Sequence, residues 1–140
     1  MSSTLEVKIE QVSSTTSQVT ARSHSLFVDR PTARGGEDRG PVGGEYMLIG
    51  VGGCFTSHLL AAIRAREAKV TDVKVAVSGT LDGFPERFTA VRVHVSATCN
   101  EPGLLQKLTT VAERSCQVMN TLRDAVPITF DVQQAAPTAV

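Results

Sequence analysis

Polar and apolar residues alternate with period two in three short segments near the start of the chain, residues 5–9, 18–22 and 26–29. Alternation places every second side chain on one face of a strand, and the Val and Thr in these segments suit that geometry. Residues 13–17 form a polar turn, so the region predicts a meander of two or three antiparallel strands. Between 31 and 44 the pattern fails, because PTARGGEDRGPVGG holds five glycines and two prolines. This predicts a loop, long for so small a domain, and long ordered loops often carry function.

Residues 45–67 read differently. Met47, Leu48, Ile49, Val51, Phe55, Leu59, Leu60 and Ile63 are distributed on nearly all sides of a helix, and charges return only at Arg64, Arg66, Glu67 and Lys69. A helix apolar all round is predicted to be buried. At roughly 20 residues it is about 30 Å long, too long for one small domain to wrap, so a second subunit is expected. Gly50, Gly52 and Gly53 each cost such a helix about 1 kcal/mol relative to Ala. They make sense where another backbone approaches.

Residues 70–81 and 87–98 alternate strongly and are joined by the turn DGFPE into a hairpin. Apolar positions 104, 105, 108, 111 and 112 form a helical stripe, and Glu101 and Pro102 suit its start. Residues 116–125 predict a second helical piece, stopped by Pro127. Residues 128–132 predict a last strand, and 133–140 a frayed tail. The order βββ, long helix, ββ, helix, helix, β is α+β with segregated layers. It is read as one domain over 1–140, with antiparallel sheets around a long buried central helix.

Composition adds constraints. With no Trp, one Tyr and five Phe, the core must be built from Val, Leu, Ile and Ala. Fourteen basic residues balance fourteen acidic ones, and no basic cluster stands out, so nucleic acid is not an expected partner. The first residues lack the continuous apolar stretch of a signal peptide. No run approaches the roughly 20 apolar residues of a membrane span, and no membrane association is expected. A cytoplasmic, reducing location follows, where three cysteines do not form a disulfide framework but serve as buried thiols or in redox chemistry.

Cys54 lies in the run GVGGCFTSHLLAA. One reading is a small core hydrophobe. The other is a nucleophile, since Gly52 and Gly53 clear space beside the sulfur and an Arg-bearing loop lies just upstream. Only a thiolate attacks, so that role needs a nearby cation or helix dipole. Cys116 opens a helical piece, where the dipole favours a thiolate or a disulfide partner. Spacing alone does not bring together two residues 62 apart. Cys99 reads as a strand-end thiol. His58, four residues after Cys54, shares its helix face and reads as a polar contact to a neighbouring subunit. His24 and His94 read as surface positions. No ligand set for a metal appears. Glu45 suits the helix start as a cap, or orients an arginine, with Arg30 and Arg34 as candidates.

The stretch DRPTARGGEDRGPVGGEYMLIGVGGCFTSHLLAA, the Val-rich hairpin and AERSCQVMNTLRDAVPITFDV together resemble the OsmC/Ohr family of hydroperoxide-reducing proteins. The likeness runs over nearly the whole chain and favours the OsmC-like branch, since Val42-Gly43-Gly44-Glu45-Tyr46 stands where Ohr members often carry Asn-Pro-x-Glu-Leu. It implies an intertwined homodimer with active sites at the interface and residues 31–44 as an active-site loop. It implies Cys54 as the peroxidatic and Cys116 as the resolving cysteine. A loop arginine, Arg34 or else Arg30, would hold the thiolate, steadied by Glu45. Gln117 stands where a proline commonly follows the resolving cysteine. The implied function is a thiol peroxidase for organic hydroperoxides, without a resident cofactor or metal, recharged by an external dithiol reductant such as a lipoyl protein. Two other readings stay open: a small-molecule binding protein on the same fold, and a hot-dog thioesterase, for which Glu45 is the one acidic candidate on the helix.

Overall fold

The computed structural model describes residues 1–138, which divide into two units, one of residues 1–47 and one that begins at Leu48. In the first unit the alternating segments pair as expected. β1 (Lys8–Gln11), β2 (Ser17–Ala21) and β3 (His24–Val28) form an antiparallel meander. Ile9 stands opposite Val19 and Val19 opposite Leu26, in one row on one face. β1 begins later than the alternation suggests. Arg22, at φ 55°, turns the chain directly from Ala21 to His24, which leaves residues 5 and 6 with no strand opposite them.

Buried side chains in this unit are polar. Thr16 and Asp29 are its two buried residues, and Thr16 Oγ1 donates to Asp29 Oδ2 at 2.6 Å. The backbone N–H groups of Arg30 and Arg39 donate to the same carboxylate at 2.7 and 3.3 Å. Burial acts to raise the Asp29 pKa, but these donors, with Thr15, outweigh it and hold the group at about 2. The Gly-rich loop packs closely. A Cβ on Gly36 would collide with the Arg30 carbonyl, and one on Gly40 with the Phe27 carbonyl. Arg39 stacks its guanidinium 4.5 Å from the Phe27 ring centre, a favourable cation–π contact. A single 3-10 turn, Thr32–Arg34, interrupts the loop.

α1 (Gly43–Ala65) runs across the boundary between the units. In the second unit, β4 (Val70–Asp82) and β5 (Arg87–Cys99) form the long hairpin. α2 (Leu104–Ser115) and α3 (Gln117–Leu122) then lead to β6 (Ile128–Ala135). Val91, Val93 and Val95 of β5 point inward with Phe55 and Leu59 of α1, Leu105 and Leu108 of α2 and Met119 of α3, all essentially inaccessible. Full burial of each such side chain contributes about 1.5–3 kcal/mol. The Phe55 and Phe130 rings sit 5.3 Å apart at a tilt.

Three expectations change. β6 pairs with β5 in parallel, not antiparallel, because the α2–α3 crossover returns the chain to the end where β5 began. The predicted fraying from 133 is replaced by strand through Ala135. Gln134 pins this end, donating to the Cys99 carbonyl at 3.4 Å and accepting from the Leu105 N–H at 3.2 Å. Residues 139 and 140 of the expected tail lie outside the described residues.

The helix α1, expected to be buried with the help of a second subunit, is covered by this chain on one face only. Val51, Phe55, Leu59 and Ala62 are buried, while Ile49 is 54% and Leu60 46% exposed. Of its glycines, Gly52 faces the Val77 side chain, 2.7 Å from where a Cβ would sit, and Gly50 and Gly53 face open space. No backbone of this chain approaches at those positions. The third change is that α1 is long and apolar enough, by length and composition, to cross a membrane, contrary to the reading that no run reaches that size. Its 23 residues include glycines and small polar residues that dilute the apolar run without adding charge.

Candidate functional site

Chain geometry around residue 116 builds the site. α2 ends at Ser115, and Cys116 takes an extended conformation, φ −79° and ψ 110°, before α3 begins at Gln117. That kink turns Cys116 inward, where it is fully buried. Cys54 lies on α1, half-buried. Cys54 packs against the buried cluster of the second unit that includes Cys116. Burial raises the Cys116 pKa above the ordinary thiol value, the backbone N–H groups of Met119 and Val118 oppose this, and the adjacent Cys54 thiol raises it further. Cys116 is therefore a protonated thiol at neutral pH. Both cysteines are free rather than joined.

Gln117 completes the group. Its Oε1 accepts a hydrogen bond from Cys54 Sγ at 3.3 Å and lies 2.9 Å from His58 Nε2. His58 thus finds its polar partner within the same chain, where a contact to a neighbouring subunit was expected. The sequence marked Gln117 only as an unusual neighbour of Cys116. Its one available signal was the spacing of Cys54 and His58, which puts both on one helix face.

Glu45, Arg34 and Arg30 lie in the first unit. Glu45 stands in the first turn of α1 and accepts from the Val42 N–H at 2.9 Å, the capping geometry favoured at a helix start. Arg34 ends the 3-10 turn, and Arg30 donates its N–H to the Asp29 carboxylate while its carbonyl accepts from the Asp38 N–H. Both arginines are exposed within that unit. Cys99 is buried at the end of β5, its Sγ 3.6 Å from the Glu101 carbonyl. His94 faces Asp131 at 3.2 Å on the outer side of the sheet. Among the described residues no group of three or more His, Cys, Asp or Glu gathers as metal ligands would.

The chain is thus an α+β protein that carries one cysteine on a long helix and another at a helix junction. The family model described as OsmC-like protein matches residues 35–131, and the chain belongs to that family. Solved structures agree in fold. The chain is similar to an OsmC-like protein from Mycoplasma pneumoniae with a TM-score of 0.84 at 14% identity, covering 96% of this chain and 99% of that one. An organic hydroperoxide resistance protein from Elizabethkingia anophelis matches with a TM-score of 0.71 at 17% identity, over 98% and 99% of the two chains. The organic hydroperoxide resistance protein OhrB of Bacillus subtilis matches with a TM-score of 0.69 at 15% identity, over 92% and 97%. No curated protein matches the sequence significantly.

Proposed function

We propose that this chain is a thiol-dependent peroxidase that reduces organic hydroperoxides. The observation that carries the reading is the packing of Cys54 against the buried cluster that holds Cys116, thiols 62 residues apart in sequence. Neighbouring relatives named as organic hydroperoxide resistance proteins support the substrate class.

Two steps account for the chemistry. Cys54 thiolate attacks the terminal oxygen of the hydroperoxide, the O–O bond breaks, and the alkoxide leaves and takes a proton as the alcohol. Cys54 becomes a sulfenic acid. The Cys116 thiol then condenses with it, forming the disulfide and releasing water. Its burial and raised pKa suit a partner held as a thiol until the sulfenic acid forms. A dithiol reductant from outside the chain, a lipoyl protein for example, reopens the disulfide by exchange. No resident cofactor enters. The family resemblance assigns the thiolate's cation to Arg34, or to Arg30 in its place, with Glu45 to orient it.

The working form is a cytoplasmic homodimer. The uncovered face of α1, with Ile49, Leu60, Gly50 and Gly53, supports a second copy as its cover. The reading includes no nucleic-acid or membrane partner. Replacing Cys54 with Ser is expected to abolish cumene hydroperoxide consumption. Replacing Cys116 with Ser leaves a Cys54 sulfenic acid that dimedone traps. One equivalent of hydroperoxide should remove about two hydrogens from the wild-type mass. Hydroperoxide consumption undiminished in the Cys54→Ser variant would overturn the proposal, and stoichiometric ligand binding with no mass change would favour a binding protein.

A further inference from the structure

His58 and Gln117 contact the Cys54 environment, yet the two-step scheme gives neither a role. One amide oxygen stands between them, 3.3 Å from Cys54 Sγ and 2.9 Å from His58 Nε2. Gln117 is an exposed residue, free by position to direct its amide to water, yet its oxygen is shared between Cys54 and His58. The chemistry of the three groups explains what that arrangement can do. A thiol donates one hydrogen, whereas a thiolate only accepts. A side-chain amide carries an acceptor oxygen and a donor NH₂ on one plane, and half a turn of its last bond exchanges them. A carboxylate at the same place has no donor, and a thioether offers only a weak acceptor.

We propose that Gln117 supports the Cys54 sulfur in both of its protonation states, and that His58 is the anchor that orients the amide. The proposal rests on the reading of Cys54 as the attacking thiol. While Cys54 is protonated, the amide oxygen accepts from Cys54 S–H and from His58 Nε2–H. When Cys54 releases its proton to solvent, the amide turns. One N–H then donates to the thiolate and the other to His58 Nε2, whose own proton is replaced by one on Nδ1. The imidazole follows without gaining or losing charge, because either ring nitrogen can carry the hydrogen of the neutral form. His58 is only partly buried, so both of its proton exchanges have access to water. Gln117 directly follows Cys116, and the same contact therefore fixes where the buried partner thiol enters α3.

The test is the iodoacetamide alkylation rate of Cys54 in the full chain at neutral pH, read by peptide mass spectrometry. It involves no hydroperoxide, so its result is independent of whether the Cys54→Ser variant loses peroxidase turnover. Gln117→Glu keeps shape and acceptor but removes the donor and adds negative charge, and should slow alkylation about tenfold. Gln117→Met removes the strong hydrogen-bonding groups without adding charge and should slow it about threefold. His58→Phe should give a loss of about threefold, and His58→Gln should recover most of it by returning an N–H to that position. Cooperative thermal unfolding in all four variants confirms that the fold persists. Wild-type alkylation in Gln117→Glu, equal slowing in Gln117→Glu and Gln117→Met, or no recovery in His58→Gln relative to His58→Phe overturns the proposal.

Discussion

The two units of this chain are held together by opposite means. In Met1–Met47 the buried residues are a threonine and an aspartate, and the carboxylate gathers donors from a strand turn and a loop. In Leu48–Val140 the buried residues are mostly aliphatic, joined by Phe55, Met119, two cysteines and the single hydroxyl of Thr109, and alternate positions of β5 from Val91 onward point into one core. Hydrogen bonds to a charged group are directional and depend on its ionisation, whereas apolar burial is non-directional and scales with area. The first unit should therefore respond to pH and to loss of single donors. The second should respond to volume.

The largest effect is expected from emptying the second core. Phe55→Ala removes a fully buried ring and should lower stability by about 3–5 kcal/mol, measurable by urea unfolding. Filling rather than emptying gives the next. Gly52→Ala brings a Cβ to 2.7 Å from Val77 Cγ2, and overpacking there should cost about 1–3 kcal/mol. Gly53→Ala, one position along, meets nothing within the chain and should stabilise a lone protomer by roughly 0.5–1 kcal/mol through helix propensity. In the proposed dimer the same change weakens association, and sedimentation equilibrium separates the two outcomes.

The smallest effects lie in the first unit. Thr16→Val removes one donor from Asp29 and should cost about 1 kcal/mol, seen as faster amide exchange in β2 and β3. The pH dependence of those amides provides the matching control. Asp29 is held at a pKa of about 2 against an ordinary value of 3.8. Its native form binds fewer protons than the unfolded chain between these values, so its contribution is full above about pH 4 and is lost as pH falls toward 2. Exchange in β2 and β3 should accelerate over that window, and in β5 much less. Equal acceleration in both sheets would break the contrast between the units.

Local pattern carried most of the elements. β4, β5, α2 and the break before α3 fall within a residue or two of where alternation and the helical stripe put them, because each is decided by neighbours in sequence. The errors share a cause. Residues 5–9 alternate like a strand along their whole length, but pairing depends on where β2 ends. Residues 133–135 look like a tail until the Gln134 side chain finds the Cys99 carbonyl across the fold. Gln117 looked like a departure from a motif, and its amide is the group between Cys54 and His58.

By itself, the sequence determined the order and kind of the elements, the apolar character of α1 on all sides, and the resemblance carried by the GGC run and the segment around Cys116. These follow from side-chain periodicity and from motifs a few residues long. Only the tertiary structure decided that β6 runs parallel to β5, that α1 is covered on one face, and that Cys54, Cys116, Gln117 and His58 meet. Each of those depends on how the chain returns to itself after a crossover, and residue spacing does not encode the direction of that return.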